Sequence, residues 1–171
     1  ALVAAPERVA DWDWLKWLPH VQTDRKVDGA GPVRLVFDSM TELENALDEE
    51  LGSRGRFNPS AKPLTTQAHL VVILDGGEAP AAAQLTGPGL LGTTVFVLSG
   101  TVPREAGRWL LALTVNGDRI EVNQGNRSTS LGRSDTLALP AAESLARQLA
   151  PYRLSHQTTS EEPLSRSPDL P

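Results

Sequence analysis

His69-Leu70-Val71-Val72-Ile73-Leu74-Asp75 is the stretch on which the fold turns. Five consecutive apolar residues, Leu70 to Leu74, include the β-branched Val71, Val72 and Ile73. Near-continuous apolarity over so short a run predicts a strand covered on both faces, as in a parallel sheet. Three similar runs lie on either side: Leu2–Ala5, Val33–Phe37 (VRLVF) and Thr94–Leu98 (TVFVL). Between the second run and His69 the spacing predicts a helix over Thr41–Leu51, with Leu43, Ala46, Leu47 and Leu51 on one face. Ser39 and Glu42 form an S-x-x-E capping box at its start, and Gly52 and Gly55 stop it. Strand, helix, strand in that order is a βαβ unit. The expected fold is therefore α/β, a mostly parallel sheet flanked by helices.

The aspartate that ends the run gives it chemical interest. Asp75 is expected at the carboxyl end of a central strand, next to the ends of Val33–Phe37 and Thr94–Leu98. Open α/β sheets bind ligands at that end. An apolar strand closed by Asp has the Walker B form, whose carboxylate helps to hold Mg²⁺. A hydrolytic site usually places Glu next, to orient water. Here Gly76 and Gly77 follow, and Glu78 comes two positions late. The plainer reading is a buried strand that leaves the sheet through a turn containing Asp.

Further out, Asp11–His20 (DWDWLKWLPH) reads as a short amphipathic helix ended by Pro19. Helical phase puts Trp14, Leu15 and Leu18 on one side, with Trp14 and Leu18 packed inward, Lys16 toward water and Trp12 on the side opposite Trp14. Trp12, Trp14 and Trp17 gather in one short span, so Trp12 and Trp17 are candidates for a partner-binding surface; a helix laid over the sheet explains the same residues. Gly107–Val115 and Arg119–Asn123 flank Asn116-Gly117-Asp118, which predicts an antiparallel hairpin with a type I′ turn at one edge. Pro140–Leu149 predicts a second helix. Asn58–Thr66 reads as a loop, and residues 155–171 as a Ser/Thr/Glu/Pro-rich linker.

Composition narrows the chemistry. Sixteen Lys and Arg stand against 21 Asp and Glu, for a net charge of −5. With no basic cluster, a phosphate-gripping nucleic-acid surface is not expected. The absence of cysteine rules out disulfides and thiolate chemistry. His20, His69 and His156 are too scattered for a metal set. No residue forms a nucleophile elbow or triad, and no catalytic residue is assigned. Gly87-Pro88-Gly89-Leu90-Leu91-Gly92-Thr93-Thr94 imitates a phosphate loop by letters alone. A strand follows it instead of a helix, Thr93 stands where Lys must be, and Pro88 removes an N–H from the cradle. The expectation is a turn and loop.

Trp14-Leu15-Lys16-Trp17-Leu18-Pro19-His20, preceded by Asp11-Trp12-Asp13, resembles a segment of the EccC proteins, the FtsK/SpoIIIE-type ATPases of actinobacterial type VII secretion. More of the chain agrees in order: Leu35-Val36-Phe37-Asp38, Arg56-Phe57-Asn58-Pro59, His69 to Gly77, Val97-Leu98-Ser99-Gly100, and Ala146 to Leu154. The resemblance implies that residues 1–154 are the carboxyl-terminal part of a degenerate, P-loop NTPase-like domain before the first complete ATPase module. It also implies a place on the cytoplasmic side of the cell membrane. Implied partners are other domains of the same motor, oligomeric as the full-length parent, and membrane components of the secretion complex. ATP and Mg²⁺ belong to the parent, and Asp75 carries over only as the Walker B-like position. The expected role is structural and regulatory coupling without hydrolysis by this chain. Two alternatives stand beside it: a nucleotide-binding domain whose phosphate loop lies upstream, and an adaptor that docks through its Trp cluster.

Overall fold

The computed structural model describes residues 1–29, 31–99, 110–124 and 127–152. The expected linker 155–171 and residues 107–109 of the hairpin's first arm lie outside them. The centre is a four-stranded parallel sheet built from β1 (Leu2–Ala4), β4 (Val36–Phe37), β5 (Leu70–Asp75) and β6 (Thr93–Ser99), in the order β4-β1-β5-β6. The fold is α/β, with this sheet flanked by helices and accompanied by separate antiparallel sheets. β5 is central, and Asp75 ends it as expected. Its neighbours are β6 and β1, with Leu2 opposite Ile73 and Ala4 opposite Asp75. The run from Val33 does not adjoin β5: Leu2 sits between Val36 and Ile73 in the sheet.

That run is also not one strand. Gly31–Arg34 (β3) pairs antiparallel with Gln22–Asp28 (β2), the chain steps inward at buried Leu35, and only β4 joins the parallel sheet. Arg34 explains the break, since a half-exposed ribbon tolerates a cation that a doubly covered strand would not.

Alternation along the strands builds two cores. On one face Val3, Val72 and Leu74 pack against Met40, Leu43, Leu47 and Leu51. Those side chains come from α1 (Met40–Ala46) and α2 (Asp48–Gly52), one predicted helix kinked at Leu47. Ser39 caps it as the sequence predicts, its hydroxyl accepting the Glu42 N–H at 3.2 Å. Glu42 reaches back to the N–H of Asp38 at 3.3 Å. On the other face Leu2, Ala4 and Ile73 pack against the Trp segment. That cover stops at β5. Phe96 and Leu98 on β6 are 51% and 58% exposed, so β6 is buried on one side only, contrary to the continuous apolarity of its sequence.

The Trp segment is helical, but as a 3-10 helix over Val9–Trp17, so the α-helical phasing is corrected. Such a helix repeats every three residues. Val9, Trp12 and Leu15 therefore line up toward the sheet; Trp14 and Leu18, the latter just past the helix, also pack there partly buried as expected, and Leu15 is the buried member. Trp12 does not oppose Trp14; their ring centroids are 6.1 Å apart. Lys16 is half-buried and pairs with Asp13, three residues back. A 3-10 run this long is uncommon.

The hairpin forms between β7 (Leu113–Asn116) and β8 (Arg119–Gln124), with a third strand, β9 (Arg127–Arg133), completing a separate sheet. Asn116 pairs with Arg119, so Gly117 and Asp118 form the loop. Gly117 alone has positive φ, at 62°. That matches a type II′ turn rather than the expected I′. The last described helix, α3 (Leu139–Leu149), carries Pro140 in its first turn and packs chiefly on the 3-10 helix.

Candidate functional site

The candidate site is the carboxyl end of β5. Asp75 is 2% exposed, because strand β5 lies in mid-sheet and the Trp segment covers this end. One carboxylate oxygen, Oδ2, accepts two hydrogen bonds: from Trp12 Nε1 at 2.9 Å and from Arg8 Nε at 3.2 Å. Arg8 reaches on to Asp11 at 3.1 Å, so one guanidinium stands between two carboxylates. The buried charge is thus met by a cation and an indole N–H, which burial of a carboxylate requires. Leu98, Leu137 and Leu139 complete a shallow apolar cleft beside Trp12 and Trp14.

Asp75 also lines this cleft, and backbone covers the neighbouring strand ends. After Asp75 the chain turns through Gly76, at φ 76°, and crosses the ends of β1 and β4. Gly76 bridges to Ala4, and Glu78 pairs with Ser39. The Glu78 N–H donates to Asp38 O at 3.2 Å, and the Met40 N–H donates to Glu78 O at 2.7 Å. A Cβ on Gly77 would lie 2.7 Å from Val3 Cγ1 and 2.9 Å from Asp38 O. Because one of these neighbours is backbone, Gly77→Ala is expected to cost about 1–3 kcal/mol, measured as a lower urea midpoint with an unchanged m-value.

The Gly-rich loop lies elsewhere. Gly87–Gly92 leads into β6 at the amino end of the parallel sheet, where the Leu70 N–H donates to Gly92 O at 2.8 Å. Asp75 sits at the opposite end of the same strands. A phosphate cradle and a Walker B carboxylate must meet around one phosphate chain, and here the sheet separates them. The segment leaving β1 at the correct end reads Ala5-Pro6-Glu7-Arg8, without the glycines or lysine of a cradle. These residues do not fit Mg²⁺-ATP. Among the described residues no cluster of His, Asp and Glu is set to hold a metal ion.

Of the sequence-predicted site residues, Asp75 and Trp12 meet directly. Trp17 does not join them: the Arg147 guanidinium of α3 lies 4.2 Å from its ring centroid. Arg8 escaped the sequence reading. Its signal was an opposite charge at three-residue spacing, Arg8 with Asp11, repeated by Asp13 with Lys16.

No family model matches the chain. Among curated proteins, the ESX secretion system protein EccC of Thermomonospora curvata is 39% identical over 93% of this chain, which spans 12% of that protein's length. This chain is an EccC-type segment. The ESX-5 secretion system protein EccC5 of Mycobacterium marinum is 29% identical over 86% of it, again across 12% of the relative. The ESX-4 secretion system protein EccC4 of Mycobacterium tuberculosis is 29% identical over 90%, across 10% of the relative. The EccC-type segment thus covers a small part of relatives named as components of ESX, or type VII, secretion systems. No helix among its described residues is long and apolar enough to cross a membrane.

Proposed function

We propose that this EccC-type segment is a structural and regulatory coupling element in the motor ATPase of a type VII secretion system, without nucleotide chemistry of its own. In this reading it lies on the cytoplasmic side of the membrane, within an oligomeric parent. It passes position between that parent's ATPase modules and the membrane components of the secretion complex, and ATP and Mg²⁺ bind elsewhere in the parent. The observation that carries the reading is the partnering of Asp75: its buried carboxylate is already met at Oδ2 by the Arg8 cation and the Trp12 indole. The distant Gly-rich loop supports it. Docking through Trp12 and Trp17 would first have to release Asp75 and Arg147, so the coupling reading is preferred to the adaptor.

Calorimetric titration of MgATP into the 171-residue chain tests this. No saturable heat is expected up to about 1 mM nucleotide, an affinity of roughly −4 kcal/mol. Saturable binding that Asp75→Asn abolishes would establish the nucleotide-binding alternative instead.

A further inference from the structure

The Trp segment lies between the sheet and α3, which also face each other across the cleft lined by Asp75, Leu98, Leu139 and Ala142. Its start is fastened to the sheet by Asp75, through the Trp12 indole and the Arg8 guanidinium. Its end carries Trp17, over which Arg147 of α3 lies at 4.2 Å. Arg147 is held in that pose by Glu143, one helical turn earlier, at 2.6 Å. Between the two ends Leu15 is buried against Leu2 and Ala4.

The helix beyond is lightly attached. Only Ala146 of α3 is fully buried, while Leu139 and Leu145 remain largely exposed. Its principal contact is the 3-10 helix itself. Trp17 Nε1 is buried and finds no hydrogen-bond acceptor among the described residues. A helix with one small buried side chain and one cation–π contact belongs to the low-stability end of a fold, where local opening is easiest.

We infer that Asp75, Arg8, Trp12, Trp17 and Arg147 form a serial strap that sets the position of α3 from the carboxyl edge of the sheet. Asp75 acts in it as a positioning residue. Arg8 supplies the cation that the Walker B form would otherwise take from a metal. Movement at either end is passed along the 3-10 helix, whose row Val9, Trp12 and Leu15 packs as a unit over Leu2 and Ala4. α3 is the last described helix of the chain, so its attachment bears directly on the direction in which the chain leaves Leu149. The inference rests on the proposal that nucleotide does not engage Asp75.

The test uses hydrogen exchange and the Trp12 indole N–H resonance of the 171-residue chain, that resonance being assigned with Trp12→Phe. Asp75→Leu fills the buried volume and removes the acceptor, while Arg8, half-exposed, can turn to water. The expected result is a shifted Trp12 line and exchange about tenfold faster at Glu143–Leu149, with Val72 and Ile73 unchanged. Unchanged exchange in α3 would overturn the strap. Should Asp75→Leu fail to fold, Trp12→Phe removes the N–H donor together with part of the ring; faster exchange at Glu143–Leu149 is again expected, and unchanged exchange there would overturn the strap. Arg147→Ala is expected to loosen α3 and leave the Trp12 line in place; a displaced line would show a diffuse connection and overturn the serial one. MgATP is expected to leave the wild-type Trp12 line unmoved. A saturable shift lost in Asp75→Leu would overturn the nucleotide-free reading alone, and exchange in α3 would still decide the strap.

Discussion

Replacing Arg54 with alanine is expected to destabilise the chain by about 3–5 kcal/mol, the cost of removing one partner from a buried ion pair. The Arg54 side chain is 1% exposed, and its guanidinium gathers three separate segments. Nη2 donates to Glu50 Oε1 at 2.8 Å and to Ala68 O at 2.7 Å, and Nη1 donates to Gly92 O at 3.0 Å. Alanine would leave those carbonyls without their donor and Glu50 without its cation. Arg54→Lys should recover only part of the loss, because one ammonium cannot reproduce the planar fork. Urea unfolding of both variants checks this. A loss below about 1 kcal/mol in Arg54→Ala would mean that water enters and satisfies the same groups.

Leu43→Ala is expected to cost about 2–5 kcal/mol, with the transfer term and the residual cavity both contributing. Leu43 is fully buried at the middle of the helix-side core, between Met40 and Leu47 and against the sheet. Alanine's better helix propensity offsets only a few tenths of a kcal/mol. The comparison variant is Leu145→Ala on α3, whose side chain is largely exposed; it should stay within about 0.5 kcal/mol. Equal losses at the two positions would contradict the assignment of the core.

The parallel sheet was legible because apolar runs of β-branched residues leave few alternatives, and the α1 cap because Ser39 and Glu42 stand at the required spacing. Two kinds of error have physical causes. Val33–Phe37 looked continuous, but apolarity cannot say that a strand changes sheets, and Arg34 was the neglected clue. In the Trp segment the closely spaced aromatic residues suggest an α-helix and mask a different repeat. The rows Val9-Trp12-Leu15, Arg8-Asp11 and Asp13-Lys16 repeat every three residues, and the 3-10 geometry follows them. At the candidate site Asp75 was visible as the end of a strand. Its partners were not, since no local pattern says which indole or guanidinium will fold back onto a carboxylate more than sixty residues away in sequence. Arg54 was hidden for a similar reason: an arginine beside glycines reads as surface until the distant carbonyls of Ala68, Leu91 and Gly92 converge on it.

The position of β1 has a consequence for how the chain acquires its shape. Leu2 pairs with both Val36 and Ile73, so the segment that leaves the ribosome first among these residues is the one enclosed by two later strands. β5 and β6 are closer in sequence and can zip together once both exist, whereas β1 must wait for them across a long loop whose closure entropy is paid before its pairing helps. Until then Leu2, Val3 and Ala4 remain exposed to solvent or to other chains. The rate-limiting event in folding is thus expected to be the insertion of the first strand into a gap between partners made after it.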